Sequence, residues 1–292
     1  MAQPVVTLRP TPLSEWNGRI LAIANNKGGV KKTSLVANVA GQLAAGGFRV
    51  LVVALDTQEE NLATDLGYLK RSDHGVSLAQ AMIAGDGAVS VIDNVRANLD
   101  VIADGPTLET VVADTYGSIG RGEATYEDLV YSLLHPVVEP LAPAYDLVLI
   151  DCPPGNKVLV DAALGVARWV LIPTASDAGS IRSMRGTAKA FVAAREYNPT
   201  IELLGVVLAG SGTQATVVRG AAQAEVNQLF GGQAPLFTQF LRYAEAPAVR
   251  ARQYSLLMHE METTSSAGLA QDYLRITQEV VERITVAEGS HR

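Results

Sequence analysis

The chain has a single cysteine, Cys152. One thiol excludes an internal disulfide and any multi-cysteine metal site within one chain, and it fits a reducing cytoplasm. No apolar run approaches the ~20 residues that a membrane-spanning helix needs. The N-terminal stretch lacks the apolar core of a signal peptide. Histidine is sparse, and His74, His135, His259 and His291 are scattered without metal-ligand spacing. There is no internal repeat, no low-complexity segment, and no Pro/Gly/Ser-rich linker through the middle. Positive charge is also short. A formal charge of −7 argues against a uniformly basic nucleic-acid binder and leaves only local patches open. What remains, 292 residues at 48% hydrophobic, is enough to bury a large core as one α/β domain.

The pattern along the chain is a repeated alternation of apolar runs and helix-period segments. Residues 1–17, with Pro4, Pro10 and Pro12, read as a short extended leader. Strands are predicted at Arg19–Ala24, Arg49–Leu55, Leu99–Ala103, Tyr145–Ile150, Trp169–Thr174 and Leu203–Leu208. Helices are predicted at about 35–45, 77–83, 126–134, 158–166, 180–196, 216–229 and 264–286, and residues 106–125 read as a loop with some helix. Continuous apolar strands separated by helices imply a mostly parallel central sheet with helices on both faces. The domain is predicted over 18–286, with a tail at 287–292.

Between the first strand and the first helix lies Asn25-Asn26-Lys27-Gly28-Gly29-Val30-Lys31-Lys32-Thr33-Ser34. A glycine-bearing turn that feeds a helix N-terminus lets backbone N–H groups curl round an anion, and the helix end adds partial positive charge. Lys32 stands where a lysine reaches the β/γ phosphates of a nucleotide, and Thr33 where a hydroxyl holds magnesium. Two other strands close on carboxylates, Asp56 and Asp151. Ligands of open α/β sheets bind at such C-terminal strand ends. Beside Asp151, Cys152 reads as a small buried hydrophobe.

The Lys27–Ser34 stretch resembles the deviant Walker A motif of the ParA/MinD family, Lys-Gly-Gly-Val-Gly-Lys-Thr. The resemblance covers about residues 18–285 and implies a P-loop NTPase-type α/β fold that binds ATP or ADP with Mg2+. It implies nucleotide contacts from Lys27, Gly28, Gly29, Val30, Lys31, Lys32, Thr33 and Ser34. In the family the early lysine, here Lys27, reaches across a nucleotide-sandwich homodimer to the partner's phosphates. Asp151-Cys152-Pro153-Pro154 resembles the family's Walker B run, which implies that Asp151 and Thr33 serve the metal. Val53–Leu62 resembles a second signature, Asp-x-Asp-Pro-Gln-Gly-Asn, with Asp56 as the aspartate that orients the attacking water and Gln58 as its glutamine. Phe240–Pro247 resembles Arg-x-Ala-Glu-Ala-Pro, where family arginines bind nonspecific double-stranded DNA. Arg242 is the first carry-over and Arg219 the second, in a region (182–252) carrying +4 against −11 elsewhere.

This sequence departs from the pattern at specific positions. Lys31 replaces the second P-loop glycine, Ala54 the first aspartate, Thr57 the proline, and Glu59-Glu60 one glycine. A lysine at 31 is compatible with the loop if its φ is negative, and is strained by about 1–3 kcal/mol if φ is positive. Three readings follow. The first is a ParA-like partition ATPase, cytoplasmic and nucleoid-associated, regulated by a ParB-like centromere-binding protein. The second is a MinD-like membrane-surface regulator, which the mixed-to-acidic tail at 272–283 disfavours because a stable membrane anchor there calls for a basic amphipathic helix. The third is a non-hydrolysing P-loop scaffold, to which Lys31 and Ala54 lend support.

Overall fold

The four residues Ile20–Ile23 (β1) are buried on both sides, as expected of an inner strand covered on two faces. The computed structural model to which they belong describes residues 18–58, 61–175, 177–211, 215–230, 236–261 and 263–290. The predicted leader, Glu59 and Glu60 lie outside these residues. Around β1 the chain builds an eight-stranded sheet with β2 (Val50–Ala54), β3 (Ile92–Arg96), β4 (Leu99–Ile102), β5 (Leu147–Asp151), β6 (Trp169–Ala175), β7 (Glu202–Ser211) and β8 (Leu241–Arg242). The order is β3-β4-β2-β5-β1-β6-β7-β8, and every pairing is parallel except β3 with β4.

One face is covered by α1 (Lys32–Ala45), α2 (Asn61–Leu66), α10 (Glu245–Gln253) and α11 (Thr264–Ser290). The other carries α3 (Val76–Ala84), α4 (Glu109–Gly120), α5 (Tyr126–Val130), α6 (His135–Val138), α7 (Lys157–Val166), α8 (Ala178–Ala194) and α9 (Ala215–Phe230). Two apolar layers therefore sandwich the sheet, the mostly parallel, helix-covered architecture that the alternation predicts. α11 places Tyr273, Ile276, Val280 and Ile284 in one layer, so its apolar stripe is spent on the sheet. It continues through 287–290, past the expected boundary of the tail. No described helix is long and apolar enough to cross a membrane.

Two elements were not legible in the pattern. β3 is an edge strand whose Asp93 and Asn94 face solvent, so it shows no apolar run. It reaches β4 through a tight turn in which Asn98 takes a positive φ. α4 is a twelve-residue helix where a loop with some helix was expected, and it buries only Val111 and Thr115, too few positions to register as a helical period. Conversely, the helix predicted over 126–134 is α5 followed by turns.

The strand register brings the site together. Ile23 and Ala54 both pair with Asp151, so the ends of β1, β2 and β5 lie side by side. The backbone locks them: Leu55 N–H donates to the Asp151 carbonyl at 3.1 Å and Cys152 N–H to that of Ile23 at 3.2 Å.

Candidate functional site

The loop after β1 is pinned before it turns. Asn25 is fully buried; its side-chain amide donates to the Pro173 carbonyl at 2.8 Å and its oxygen accepts the Lys27 N–H at 3.0 Å. Asn26 N–H donates to the Thr187 hydroxyl of α8 at 3.2 Å. A Cβ at Gly186 would meet the Asn26 amide nitrogen, so a larger residue there would displace the exposed Asn26 side chain. Val30 is buried and anchors the middle of the turn. Gly28 and Gly29 are exposed, and Gly29 has a φ of +74° with open space above it.

Lys31 has φ 68° and ψ 26°, the left-handed conformation, and stands at the N-cap of α1 with its side chain exposed. The backbone thus keeps the geometry a glycine would take, and lysine bears the steric cost. Lys32 is buried, and its ammonium donates to the Lys27 carbonyl at 3.0 Å. Burial lowers the Lys32 pKa, while the Asp151 and Asp56 carboxylates pull it back up. The Ser34 carbonyl accepts from Asn38 one turn on.

Asp151 ends β5 beneath this loop. Burial pushes its carboxyl up to about 7, against the opposing effects of the Thr33 hydroxyl and the Lys32 ammonium. Neither of its oxygens has a hydrogen-bond partner of ordinary geometry. A buried carboxylate left this way beside a threonine hydroxyl fits a hydrated magnesium ion, and Thr33 and Asp151 are the pair that would hold it. Asp56 is half-buried; its carboxylate accepts the Gln58 N–H at 3.0 Å and its carbonyl accepts the Gly105 N–H at 3.1 Å. Gln58 in turn reaches Glu109 of α4 at 3.3 Å.

A cavity of about 390 Å³ opens over these groups, lined by Gly28, Gly29, Lys31, Lys32, Thr33 and Asp56, with Arg252 of α10 on its far side. Two smaller clefts share Lys31 and Ser34 with it and run between α1 and α10 toward Leu269 and Tyr273. Two lysines, an arginine and a helix N-terminus thus meet a carboxylate rim, which suits a polyphosphate with a divalent ion.

Sequence reasoning missed three participants. Asp104, two residues past β4, is buried with Oδ1 unpartnered, and burial together with Asp151 and Asp56 pushes its carboxyl up to about 8. The signal was present, since Leu99–Ala103 runs into a carboxylate as the strands before Asp56 and Asp151 do. Arg252 pairs with Asp65 of α2 at 2.6 Å and with Asn61 at 3.2 Å, contacts no local pattern encodes. Asp177, the N-cap of α8, receives the Lys27 ammonium at 3.3 Å.

Of the residues expected to contact DNA, Arg242 lines one of the adjoining clefts together with Lys31 and Ser34. Arg242 on β8 is half-exposed, and its N–H, Nε and Nη2 all donate to Asp272 of α11. The Arg219 side chain lies outside the described residues. Among the described residues no group of three or more His, Cys, Asp or Glu is arranged to hold a metal ion by itself. Cys152 is buried, and its thiol pKa is pushed up by burial, as befits a packing residue. Trp169 is buried and donates to the Gly18 carbonyl at 2.8 Å.

Comparison with known proteins follows the same lines. A family model described as an AAA domain matches residues 18–202. The chromosome partitioning protein ParA of Caulobacter vibrioides is 29% identical over 272 residues, covering 91% of this chain and 94% of its own. The chromosome-partitioning ATPase Soj of Thermus thermophilus is 29% identical over 275 residues, 92% of this chain and 98% of its own. A McdA variant from Cyanothece solved with ATP superposes with a TM-score of 0.68 at 21% identity, covering 93% of this chain and 96% of its own. The chain therefore belongs to the AAA-domain family that this match defines, as a ParA-like member.

Proposed function

We propose that the protein is a ParA-like partition ATPase. In this reading it binds ATP with Mg2+, pairs as a nucleotide-sandwich homodimer and holds double-stranded DNA without sequence preference. A ParB-like centromere-binding partner regulates it, and it works in the cytoplasm on the nucleoid. The observation that carries the reading is the meeting of the Lys32 ammonium, the Thr33 hydroxyl and the buried Asp151 carboxylate under an open glycine turn. The likeness to two partition proteins along nine-tenths of the chain supports it.

Lys32 and the N–H groups at the start of α1 bind the phosphates, and Thr33 and Asp151 hold the cation. When bound, magnesium neutralises phosphate charge. Asp56 orients a water for attack, with Gln58 fixing its carboxylate. Lys27 serves the phosphates of the second subunit. Arg242, with Arg219, supplies the DNA contact, Asp272 fixing the plane of a guanidinium that keeps half its surface exposed.

Calorimetric titration of ATP-magnesium into the chain and into Lys32→Ala tests the nucleotide step. Saturable binding lost in Lys32→Ala is expected, and equal heats from both would overturn it. Duplex binding at low salt should then require ATP; binding that ignores nucleotide would sink the switch.

A further inference from the structure

On the face opposite α1 four tyrosines gather. Tyr116 of α4 and Tyr126 of α5 lie with ring centroids 6.5 Å apart. Tyr131 and Tyr197, the latter in the turn after α8, stack at 4.8 Å with planes 8° apart. Tyr116 and Tyr197 are 53% and 44% exposed, large values for rings that touch other aromatics. Asp161 of α7 joins the two pairs: it accepts the Tyr126 hydroxyl at 2.9 Å and its charge acts on Tyr131.

Half of this face already shows how it takes a cation. The Lys157 ammonium sits 4.0 Å above the Tyr126 ring while it is ion-paired with Asp161, a cation held between a π-face and a carboxylate. The other half has the same components without the cation. Glu127, Glu196 and Asp128 lie close enough to Tyr197 for their charge to act on its hydroxyl. Among the described residues none of the three is ion-paired with a lysine or arginine. Asp161 beneath the rings is 1% exposed and its charge is already met by Lys157, so the unpaired carboxylates of this half are the three around Tyr197. The neighbouring arginines are engaged elsewhere, Arg121 with Glu123 and Arg195 over Phe191.

We propose that this face, built from α4, α5, α7 and the turn after α8, docks a lysine- and arginine-rich segment of a partner protein, with one cation seated over Tyr197 between Glu127 and Glu196. The chemistry selects the occupant. Exposed aromatic faces among carboxylates attract guanidinium and ammonium groups and repel nucleic-acid phosphate and anionic lipid. The face is also tied to the nucleotide site, because Lys157 and Asp161 stand on the helix that directly follows Asp151–Asn156. It does not depend on which reaction that site performs.

The test is fluorescence anisotropy of a labelled short peptide of alternating lysine and arginine, titrated with the full chain. Tyr197→Leu keeps the charge and the apolar stack on Tyr131 but removes the π-face; it should weaken binding about three- to tenfold. Tyr197→Phe should bind like the parent. Glu127→Gln with Glu196→Gln should weaken binding by a similar factor. Glu139→Gln with Glu282→Gln, an equal loss of charge elsewhere, should leave it unchanged. If Tyr197→Leu binds as the parent does, or both double variants lose equally, the attraction is diffuse and the proposal fails. If sedimentation instead shows a dimer that Tyr197→Leu abolishes, the occupant is a second copy and the proposal fails as well.

Discussion

The Lys27 ammonium is held within its own chain by Ser180, whose hydroxyl oxygen lies 2.6 Å away at the first turn of α8. Asp177, the N-cap of that helix, adds its carboxylate at 3.3 Å. The Ser180 hydroxyl and N–H, then Lys27, keep the Asp177 carboxyl well below the usual range, so it is ionised at neutral pH. A lysine gripped in cis must leave that grip before it can serve a second subunit. Asp177→Ser keeps a capping oxygen and removes the charge. In the sandwich reading it should tighten ATP-dependent dimerisation by up to about thirtyfold, because each of the two subunits releases one exposed ion pair of up to about 1 kcal/mol. Sedimentation velocity across a concentration series reads this directly, and weaker dimerisation in the variant would mean that Asp177 aids assembly.

The second prediction concerns Lys31. Its φ of 68° strains a residue with a Cβ, and its side chain is exposed, so no packing depends on it. Lys31→Gly should stabilise the nucleotide-free chain by about 1 kcal/mol, the strain relieved less the backbone freedom that glycine loses on folding. Urea denaturation measures this, and an unchanged midpoint would mean that the loop relaxes around lysine at no cost. The same variant titrated with ATP-magnesium tells whether the ammonium contributes to phosphate binding, since Lys31 lines both the main cavity and the adjoining clefts.

These two positions show what the sequence made legible and what it did not. Lys27–Ser34 and Asp151–Pro154 stood out as a candidate site because phosphate and metal chemistry restricts residue types at fixed local spacing, and the strand register places them together. The parallel sheet could be read because strands buried on both faces are continuously apolar. The conformation of Lys31 could not, since lysine gives no sign of its φ. Asp177, Ser180 and Arg252 meet the site only through tertiary contacts, across 150, 153 and 187 residues for the pairs Lys27–Asp177, Lys27–Ser180 and Asp65–Arg252. β3 and α4 escaped because their exposed faces dilute the apolar period.

A third prediction follows from Asp104 and Asp151, whose carboxyls are pushed up to about 8 and about 7. In the unfolded chain both would ionise near pH 4. Between pH 4 and 8 the folded chain without divalent cation therefore binds more protons than the unfolded one, and its stability falls as pH rises through that window. Thermal melts in EDTA should show Tm declining from pH 5 to 8, with a shallower decline in Asp104→Asn, which removes one of the two titrating groups. Added magnesium should flatten the parent's profile. A Tm that rises with pH over this range would contradict the burial of these groups as neutral acids.

The fourth prediction separates the two roles Arg242 can play. Asp272 is 6% exposed and relies on Arg242 for a bidentate ion pair, so Arg242→Ala leaves a nearly buried carboxylate without its cation and should lower Tm. A simple loss of DNA binding in that variant would therefore not distinguish a contact from a folding defect. Two further measurements make the distinction. Asp272→Asn retains a hydrogen-bonding oxygen and releases the guanidinium from its countercharge, so a direct phosphate contact predicts equal or tighter duplex binding. A direct contact also fixes the salt dependence: each phosphate contact contributes about 0.9 to the slope of log K against log salt, and a dimer carries two Arg242 side chains. Arg242→Ala, assayed below its own Tm, should flatten that slope by about two. If the affinity falls while the slope stays the same, Arg242 acts through the fold, and the DNA contact lies elsewhere on the basic region between 182 and 252.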